Sequence, residues 1–563
     1  AALLAAAALL GAAACGPAEP PADVILHGAR VYTVDPARPW AEAVAVRGDR
    51  IVKVGREQEV LRLRGPATQV FGLRGGLVLP GFNDGHTHFL DGALGLSQVD
   101  LTGATTLEAI RDRVREYAAA HPDEPWILGF GWLYSTFPDR LPHRRELDAV
   151  EAARPVFLYS YDGHSGWANG AALRRAGIDA RTPQLPPNRG ELVKDPKTGE
   201  PTGALKEGAM ALLEQVLPKP SRDRKLRALE AGLKHAAALG VTAVQNCSGG
   251  GDEIELYDEL ERLGRLTLRT RTAFPMPDSP VLLTDAVVQR IVAARDAHPG
   301  PRVHAGTVKF FADGVIESNT AAMLEPYSND PSKQGKPHYD ARQLEAMVRK
   351  VDAAGLQIYI HAIGDAAVRM SLDALETALR ERPGRRRRHR LEHIETIAAA
   401  DIPRFAKIGV LASMQPFHAY PEPNLLDVWA FNIGPERLPR AFAWRGLNDA
   451  GARLTFGSDW PVVTLDPLPG IHNAVLRQDT GGKPEGGWVP EQRLSLEQAI
   501  AAYTINGAWA SFEEEERGSI REGKYADLVV LSKDLFAIPP AEIHTAGVLL
   551  TLAGGRIVHR ATP

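Results

Sequence analysis

The stretch Pro80-Gly81-Phe82-Asn83-Asp84-Gly85-His86-Thr87-His88-Phe89 decides how the rest of the chain is read. It closes an apolar run, Gly76-Leu77-Val78-Leu79, which reads as a short buried strand. Residues two apart on a strand point the same way, so His86 and His88 can offer both imidazoles to one metal ion from a strand end. Taken alone, the pair reads first as two packing or surface histidines, since imidazole has many uses besides ligation. Its meaning depends on what stands at the ends of later strands.

Short apolar strands alternate with helical stretches through the middle of the chain, the pattern of a parallel sheet with crossover helices. After His88 the expected strands are Val241-Val244, Leu268-Thr272, Thr307-Phe311, Gln357-Ile360, Arg390-Glu392, Val410-Met414 and Arg453-Phe456. With the strand before His86 they make about eight, the number that closes a (β/α)8 TIM-type barrel. The expected barrel covers 76–514. About 150 residues separate its first two strands and hold strand-like pieces of their own, Trp126-Phe130 and Val156-Ser160. A structureless loop of that length is unusual, so an inserted subdomain is expected at about 102–230, beside the barrel mouth.

Working outward to the termini, Val24-Thr33, Ala41-Arg47 and Ile51-Gly55 largely alternate apolar with polar or small residues, with Gly48-Asp49-Arg50 as a hairpin turn. At the far end, Leu528-Leu531, Gly547-Ala553 and Arg556-Val558 read the same way, with Gly554-Gly555 turning the last hairpin. Neither set can bury its faces alone. Residues 23–75 and 515–563 are therefore expected to build one β-sandwich-like domain, with everything between them inserted.

The chain has 563 residues, 44% hydrophobic and 24% charged, the composition of an ordinary globular protein. A formal net charge of -4 argues against a nucleic-acid partner held through its phosphates. The one basic run, Arg385-Arg386-Arg387-Arg388-His389-Arg390, is expected in a solvated helix-to-strand loop. Two cysteines, Cys15 and Cys247, fall in unlike segments, so no disulfide framework is expected. Residues 1–22 read as an export signal and tether: a small-residue apolar segment, then Cys15 and a Gly/Pro-rich stretch. The segment lacks Met and a basic start, which reads as a clipped beginning. It resembles a bacterial lipoprotein signal, with Ala12 where Leu is usual, and implies an exported, periplasmic or membrane-anchored protein with a lipid on Cys15. Oligomeric state has no signal in the sequence.

Catalytic groups of such barrels stand at the carboxyl ends of strands. There the sequence places His86, His88, Lys309, His361, His393 and Asp459, mostly metal-ligand types. Imidazole and carboxylate suit zinc and similar divalent ions. Lysine repels a cation unless its charge is removed, and carbon dioxide would convert its neutral amine into an anionic carbamate able to bridge two ions. The other reading of Lys309 is a structural ion pair.

The motifs resemble those of the amidohydrolase superfamily, in the N-substituted formamide deformylase-like branch. They are Pro80 to His88, Val308-Lys309-Phe310-Phe311-Ala312-Asp313-Gly314, His361-Ala362-Ile363-Gly364-Asp365, Leu391-Glu392-His393-Ile394-Glu395 and Gly457-Ser458-Asp459-Trp460-Pro461. The resemblance implies two divalent ions, as zinc, with a single ion as the alternative. His86, His88 and Asp459 would hold one, His361 and His393 the other, and carboxylated Lys309 would lie between them. Two ions about 3.5–4 Å apart can share a water and generate hydroxide near neutrality. Asp459 would take its proton and pass it to the leaving nitrogen.

The insert adds Tyr161-Asp162-Gly163-His164-Ser165-Gly166-Trp167-Ala168-Asn169, which resembles a family motif. His164 reads either as a donor to the substrate carbonyl or as an interdomain hydrogen bond. Gln415 and His418 are candidate pocket residues, or loop-folding ones; Trp132 and Trp460 are candidate apolar walls, or core. The run Glu317 to Tyr339 is a candidate lid carrying Tyr327 toward the substrate, or an inert surface loop. Cys247 reads as a buried thiol. The expected function is hydrolysis of a C–N bond in a small amide, N-formyl, N-acyl or related. An esterase, lactonase or dipeptidase on the same scaffold is the second reading, and a non-catalytic metal-binding protein the third.

Overall fold

A computed structural model describes residues 19–186, 190–384 and 387–562. The amino-terminal strands are β1 (Val24–Tyr32), β2 (Trp40–Arg47), β3 (Arg50–Gly55), β4 (Gln69–Gly72) and β5 (Leu77–Pro80). The barrel opens with β6 (Phe82–Thr87). The insert contributes β7 (Val99–Asp100), β8 (Ile127–Trp132), β9 (Val156–Ser160), β10 (Ser165–Ala168), β11 (Glu191–Lys194) and β12 (Pro201–Lys206). The barrel resumes with β13 (Val241–Asn246), β14 (Arg269–Pro275), β15 (Val303–Phe311), β16 (Gln357–Ala362), β17 (Arg390–His393), β18 (Leu411–Met414) and β19 (Leu454–Phe456). The chain ends with β20 (Leu528–Leu531), β21 (Val548–Ala553) and β22 (Arg556–Arg560).

The terminal strands pair in the order β22-β21-β20-β5-β1-β2-β3, with β4 beside β1. They form one continuous sheet that folds over a shared core, in which Val44 and Ile51 from one end join Leu528 and Leu552 from the other. The apolar run before His86 belongs here. Expected as the first barrel strand, it is β5, antiparallel to β20 and parallel to β1. The chain changes sheets at Pro80-Gly81, where a Cβ on Gly81 would meet Thr242 at 2.3 Å. β6 then starts the barrel.

Eight parallel strands follow in chain order from β6 through β13 to β19. Closure of β6 against β19 occurs just past β19: Asp459 N donates to His86 O at 2.6 Å and His88 N to Trp460 O at 2.7 Å. Glycine permits this seam, since a Cβ on Gly457 would stand 2.4 Å from His86 N. The seam therefore sets Asp459 directly beside His86 and His88.

The insert is a mixed sheet in the order β11-β12-β10-β9-β8-β7, with its own apolar clusters. Its strands run from Val99 to Lys206, whereas the helix Arg222–Ala238 buries Leu229, Leu233 and Ala236 in the barrel core. That helix is the crossover into β13 and not part of the insert. The described part of the basic run also departs from the solvated loop expected of it, since Arg387, Arg388, His389 and Arg390 are all buried. Arg387 and His389 pair with Asp352, Arg388 pairs with Glu514 and Arg390 lies inside the barrel, so each buried charge has a partner. Arg385, Arg386 and Cys15 lie outside the described residues. Among the described residues, no helix is long and apolar enough to cross a membrane.

Candidate metal centre and active site

The six strand-end residues converge at one mouth. His86 Nε2 lies 3.2 Å from Lys309 Nζ and 3.4 Å from Asp459 Oδ1, and His88 Nε2 lies 3.2 Å from the same oxygen. The His393 ring is 4.8 Å from that of His86 and 4.6 Å from that of His361. Both His393 and Asp459 take left-handed backbone, φ 75° and 62°, which non-glycine residues rarely adopt. Such strain persists where surrounding structure over-determines it, and the seam hydrogen bond at Asp459 N is one such constraint.

Each inward histidine is fixed by a partner on its other nitrogen. His86 Nδ1 donates to Glu392 Oε2 at 2.6 Å, and Ser248 Oγ lies 2.9 Å from His88 Nδ1. His361 Nε2 donates to Gly314 O at 3.2 Å, and His393 Nδ1 to Gln415 Oε1 at 2.8 Å. These partners set the tautomers and leave His86 Nε2, His88 Nε2, His361 Nδ1 and His393 Nε2 for a ligand. Glu392 is held in turn by Arg390, whose Nε donates at 2.6 Å and whose guanidinium stacks 3.6 Å from the Tyr359 ring. Burial, and then the Lys309 ammonium, hold His86 well below the ordinary imidazole range. Burial does the same to His361 and His393, so all three are neutral and able to ligate.

This donor set fits divalent metal. Asp459 Oδ1 is buried without a hydrogen-bond partner, although two imidazole nitrogens face it. Burial would raise the Asp459 carboxyl, yet the His86 and His88 imidazoles hold it well below the usual carboxylate range. Among the described residues, His86, His88 and Asp459 form one group of metal-type donors and His393, His418 and Asp459 another, each within 4.8 Å. A third, His86, Cys247 and Glu392, is supporting structure: Glu392 is already engaged, and burial pushes the Cys247 thiol up to about 12. Lys309 is fully buried and makes no ion pair with a carboxylate among the described residues, which removes the structural ion pair as its explanation.

The insert closes the mouth. The cavity, about 60 Å³, is lined from the barrel by His88, Lys309, His361, His393 and Asp459, with Glu317 and Glu395 from the segments after β15 and β17, and from the insert by Tyr161, Asp162 and His164. His164 Nδ1 donates to Glu207 Oε2 at 2.9 Å, and Thr320 from the segment after β15 donates to Glu207 Oε1 at 2.7 Å. Burial alone would lower His164, but the Glu207 carboxylate outweighs it and lifts the imidazole to about 9. His164 is therefore an imidazolium near neutrality, with Nε2 left for the cavity.

Of the candidate substrate residues, His418 lines the cavity, its Nε2 3.8 Å from Asp459 Oδ2. Gln415 supports His393 instead of facing substrate. Three others are core residues, correcting their expected place in the pocket. Trp132 is fully buried in the insert and donates to Leu158 O at 2.9 Å. Tyr327 is buried with its hydroxyl on Ala321 O at 2.8 Å, and Trp460 packs edge-on against Phe89. Their size makes them better fillers of the seams between layers than of a 60 Å³ cavity. The segment from Glu317 to Tyr339 is buried at Glu317, which lines the cavity, and at Ala321 to Met323, Tyr327 and Tyr339, while 331–334 are exposed.

The amidohydrolase family profile matches residues 69–559. The chain belongs to the amidohydrolase family. Among its relatives, the putative amidohydrolase YtcJ of Bacillus subtilis is 32% identical, over 95% of this chain and 99% of that one. The N-substituted formamide deformylase of Arthrobacter pascens is 30% identical, over 96% of this chain and 99% of its own. An uncharacterized metal-dependent hydrolase from Pyrococcus horikoshii superposes with a TM-score of 0.71 at 25% identity, covering 92% of this chain and 99% of that one. This amidohydrolase is accordingly a metal-dependent hydrolase of carbon–nitrogen bonds.

Ser248 and Glu207 escaped the sequence reading, and Glu392, Glu395 and Glu317, though inside quoted stretches, were given no role of their own. Glu392 carried a usable signal. A central strand of a parallel barrel is buried on both faces, so Arg390-Leu391-Glu392 announces an internal ion pair. Glu207 and Glu317 lie 43 and 156 residues from the side chains they serve, and only folding joins them.

Proposed function

We propose that this amidohydrolase hydrolyses an N-formyl or N-acyl amide with a small acyl group, or a related amide. One observation carries the reading: a buried Asp459 carboxylate, unpaired at Oδ1, faces the His86 and His88 Nε2 atoms across from a donor imidazolium at His164. His86, His88 and Asp459 would hold one divalent ion, His361 and His393 a second, as zinc, with a carbon-dioxide-derived carbamate on Lys309 between them. A single ion is the alternative occupancy. Bound there, metal supplies Lewis-acid polarisation of a carbonyl and lowers the pKa of water.

The chain's own groups do the rest. Asp459 accepts the proton of the attacking water and returns it to the leaving nitrogen, a base-then-acid role. His164, oriented by Glu207, donates Nε2–H to the carbonyl oxygen as charge develops there. Tyr161, Val315 and Val462 are among the lining side chains, and a cavity of about 60 Å³ suits a formyl or acetyl group better than a long acyl chain. The likeness to an N-substituted formamide deformylase supports the same choice.

The test is metal analysis and a panel of N-formyl, N-acyl and cyclic amides with matched esters, using zinc- and manganese-loaded protein and Asp459→Asn. Amide turnover with about two ions per chain, lost by about 10³-fold in the variant, is expected. Protein that binds no metal, or cleaves only esters, would overturn the reading. The carbamate predicts a ¹³C-bicarbonate-derived resonance that is absent in Lys309→Ala. An export signal ending at a lipidated Cys15 is proposed for the start of the chain, placing the enzyme in the periplasm or on a membrane. Fatty-acid labelling that persists in Cys15→Ser would exclude it.

A further inference from the structure

The interior of a parallel barrel is ordinarily filled by bulky apolar side chains, yet Arg390 and Glu392 stand inside this one, both 0% exposed. A buried ion pair is a poor source of stability, since well-packed apolar residues of similar volume do as well or better. Its presence calls for another reason, and the contacts supply one. Besides Glu392, the Arg390 guanidinium meets three groups across the barrel. Nη1 donates to Gln245 Oε1 on β13, Nη2 donates to Gly85 O on β6 at 2.6 Å, and the guanidinium carbon lies 3.6 Å from the centre of the Tyr359 ring on β16. The Tyr359 hydroxyl donates to the same Gln245 oxygen at 3.1 Å, and Gln245 Nε2 donates to Gly507 O at 3.1 Å. Two donors on its oxygen and a carbonyl on its nitrogen leave the Gln245 amide a single orientation. No polar side-chain atom of Gln245, Tyr359, Arg390 or Glu392 is buried without a partner, whereas Asn83, Ser413 and Thr455 on other barrel strands each leave at least one unpaired.

We infer that Gln245 and Tyr359 are positioning residues for the metal centre: they fix the Arg390 guanidinium, which fixes the carboxylate that orients the His86 imidazole. The inference rests on the metal reading of the strand-end donors and extends it to two side chains that offer no atom to the ion. Glu392 receives Arg390 Nε at Oε1, and at Oε2 it receives both Arg390 Nη2, at 3.1 Å, and His86 Nδ1. An arginine fork constrains a carboxylate in plane and in distance, so a guanidinium that turns carries Glu392 with it. Gln245, the Tyr359 ring and the Gly85 carbonyl oppose that turn, and Cys247 Sγ, 3.6 Å from Nη2, closes the enclosure. The ligating atom of His86 is Nε2, across the ring from Nδ1, so a tilt at Nδ1 displaces the lone pair offered to the ion. A neutral acceptor suits position 245. It holds Nη1 without drawing the guanidinium charge away from Glu392, as a second carboxylate would.

The experiment measures zinc affinity by competition with a chromogenic chelator, and zinc content by elemental analysis, on wild type, Gln245→Met, Tyr359→Phe and Thr270→Val. Gln245→Met keeps the volume and removes the acceptor. Tyr359→Phe keeps the ring beneath the guanidinium and removes only the hydroxyl. Thr270→Val deletes a buried hydroxyl of β14 whose partner is Thr272. Zinc affinity should fall by about 10-fold in Gln245→Met and about 3-fold in Tyr359→Phe, and stay at the wild-type value in Thr270→Val. Cobalt gives a readout that loss of packing alone would not move: at saturating cobalt the visible absorption bands should shift in Gln245→Met and match wild type in Thr270→Val. Equal melting temperatures of the metal-free proteins show that the variants are folded, and Tyr359→Phe, which loses one oxygen, carries the test should Gln245→Met not fold. Zinc affinities and cobalt spectra equal to wild type in Gln245→Met and Tyr359→Phe, or an equal loss in Thr270→Val, would overturn the inference and leave the metal centre standing. Wild-type protein that takes up neither metal would overturn the metal reading itself.

Discussion

At the residue scale, the site depends on nitrogens that point away from the metal position as much as on those that face it. Glu392 holds His86 Nδ1, and Arg390 holds Glu392, so the ligand's orientation is set two side chains away. Glu392→Gln should therefore weaken metal binding by about 10- to 100-fold, read by competition with a chromogenic chelator. The change should be smaller in kcat once metal is saturating. His164→Asn removes a donor and not a ligand: kcat should fall by about 10²- to 10³-fold with metal content unchanged by elemental analysis. Loss of metal in that variant would assign His164 to the metal shell instead.

Between elements, a buried ion pair joins the terminal sheet to the barrel. Arg269 on β14 donates its Nε to Asp527 at 2.7 Å and its Nη2 at 3.2 Å, and Asp527 also accepts from Gly554 N at 2.7 Å. Both side chains are buried, so removing one strands the other's charge, at a cost of about 3–5 kcal/mol. Asp527→Ala should lower the melting temperature accordingly, and more than Asp527→Asn. Burial would raise the Asp527 carboxyl, but the Arg269 guanidinium overrides it and holds the pKa below its ordinary value. A depressed folded-state pKa gives stability that is present above the unfolded value, about 3.9, and lost as pH falls through the lower folded one. Melting temperature should thus drop on acidification below about pH 4, with a shallower slope in Asp527→Asn.

For the whole molecule, three sheets are arranged so that none completes the site alone. The barrel brings the metal-type donors with Glu317 and Glu395, the insert brings Tyr161, Asp162, His164 and Glu207, and the terminal sheet covers the amino end of the barrel through β5, β20 and the Arg269 pair. A ligand that binds only the folded chain stabilises it by about 2.7 kcal/mol at a hundredfold excess over Kd. Stripping metal with a chelator should therefore lower the unfolding temperature, and added zinc should restore it. No response in the wild type would mean that the donors hold no metal in solution.

The eight-strand barrel was legible because it rests on local period, and six metal-type residues could be read at its strand ends from residue type alone. Matching His86 and His88 with Asp459 took the family resemblance as well, since residue type at a strand end does not say which ends meet. Assignment of β5 to the terminal sheet was not legible, since an apolar run of four residues reads the same in either sheet. Nor was the burial of Arg387 to Arg390, because a basic run says nothing of the acids waiting for it at Asp352, Glu392 and Glu514. Local chemistry is written in the order of residues, and that order determined the barrel and its candidate ligands. Which carboxylate orients which imidazole, as Glu392 does His86 and Glu207 does His164, is a contact across dozens to hundreds of residues, and that only the tertiary structure decided.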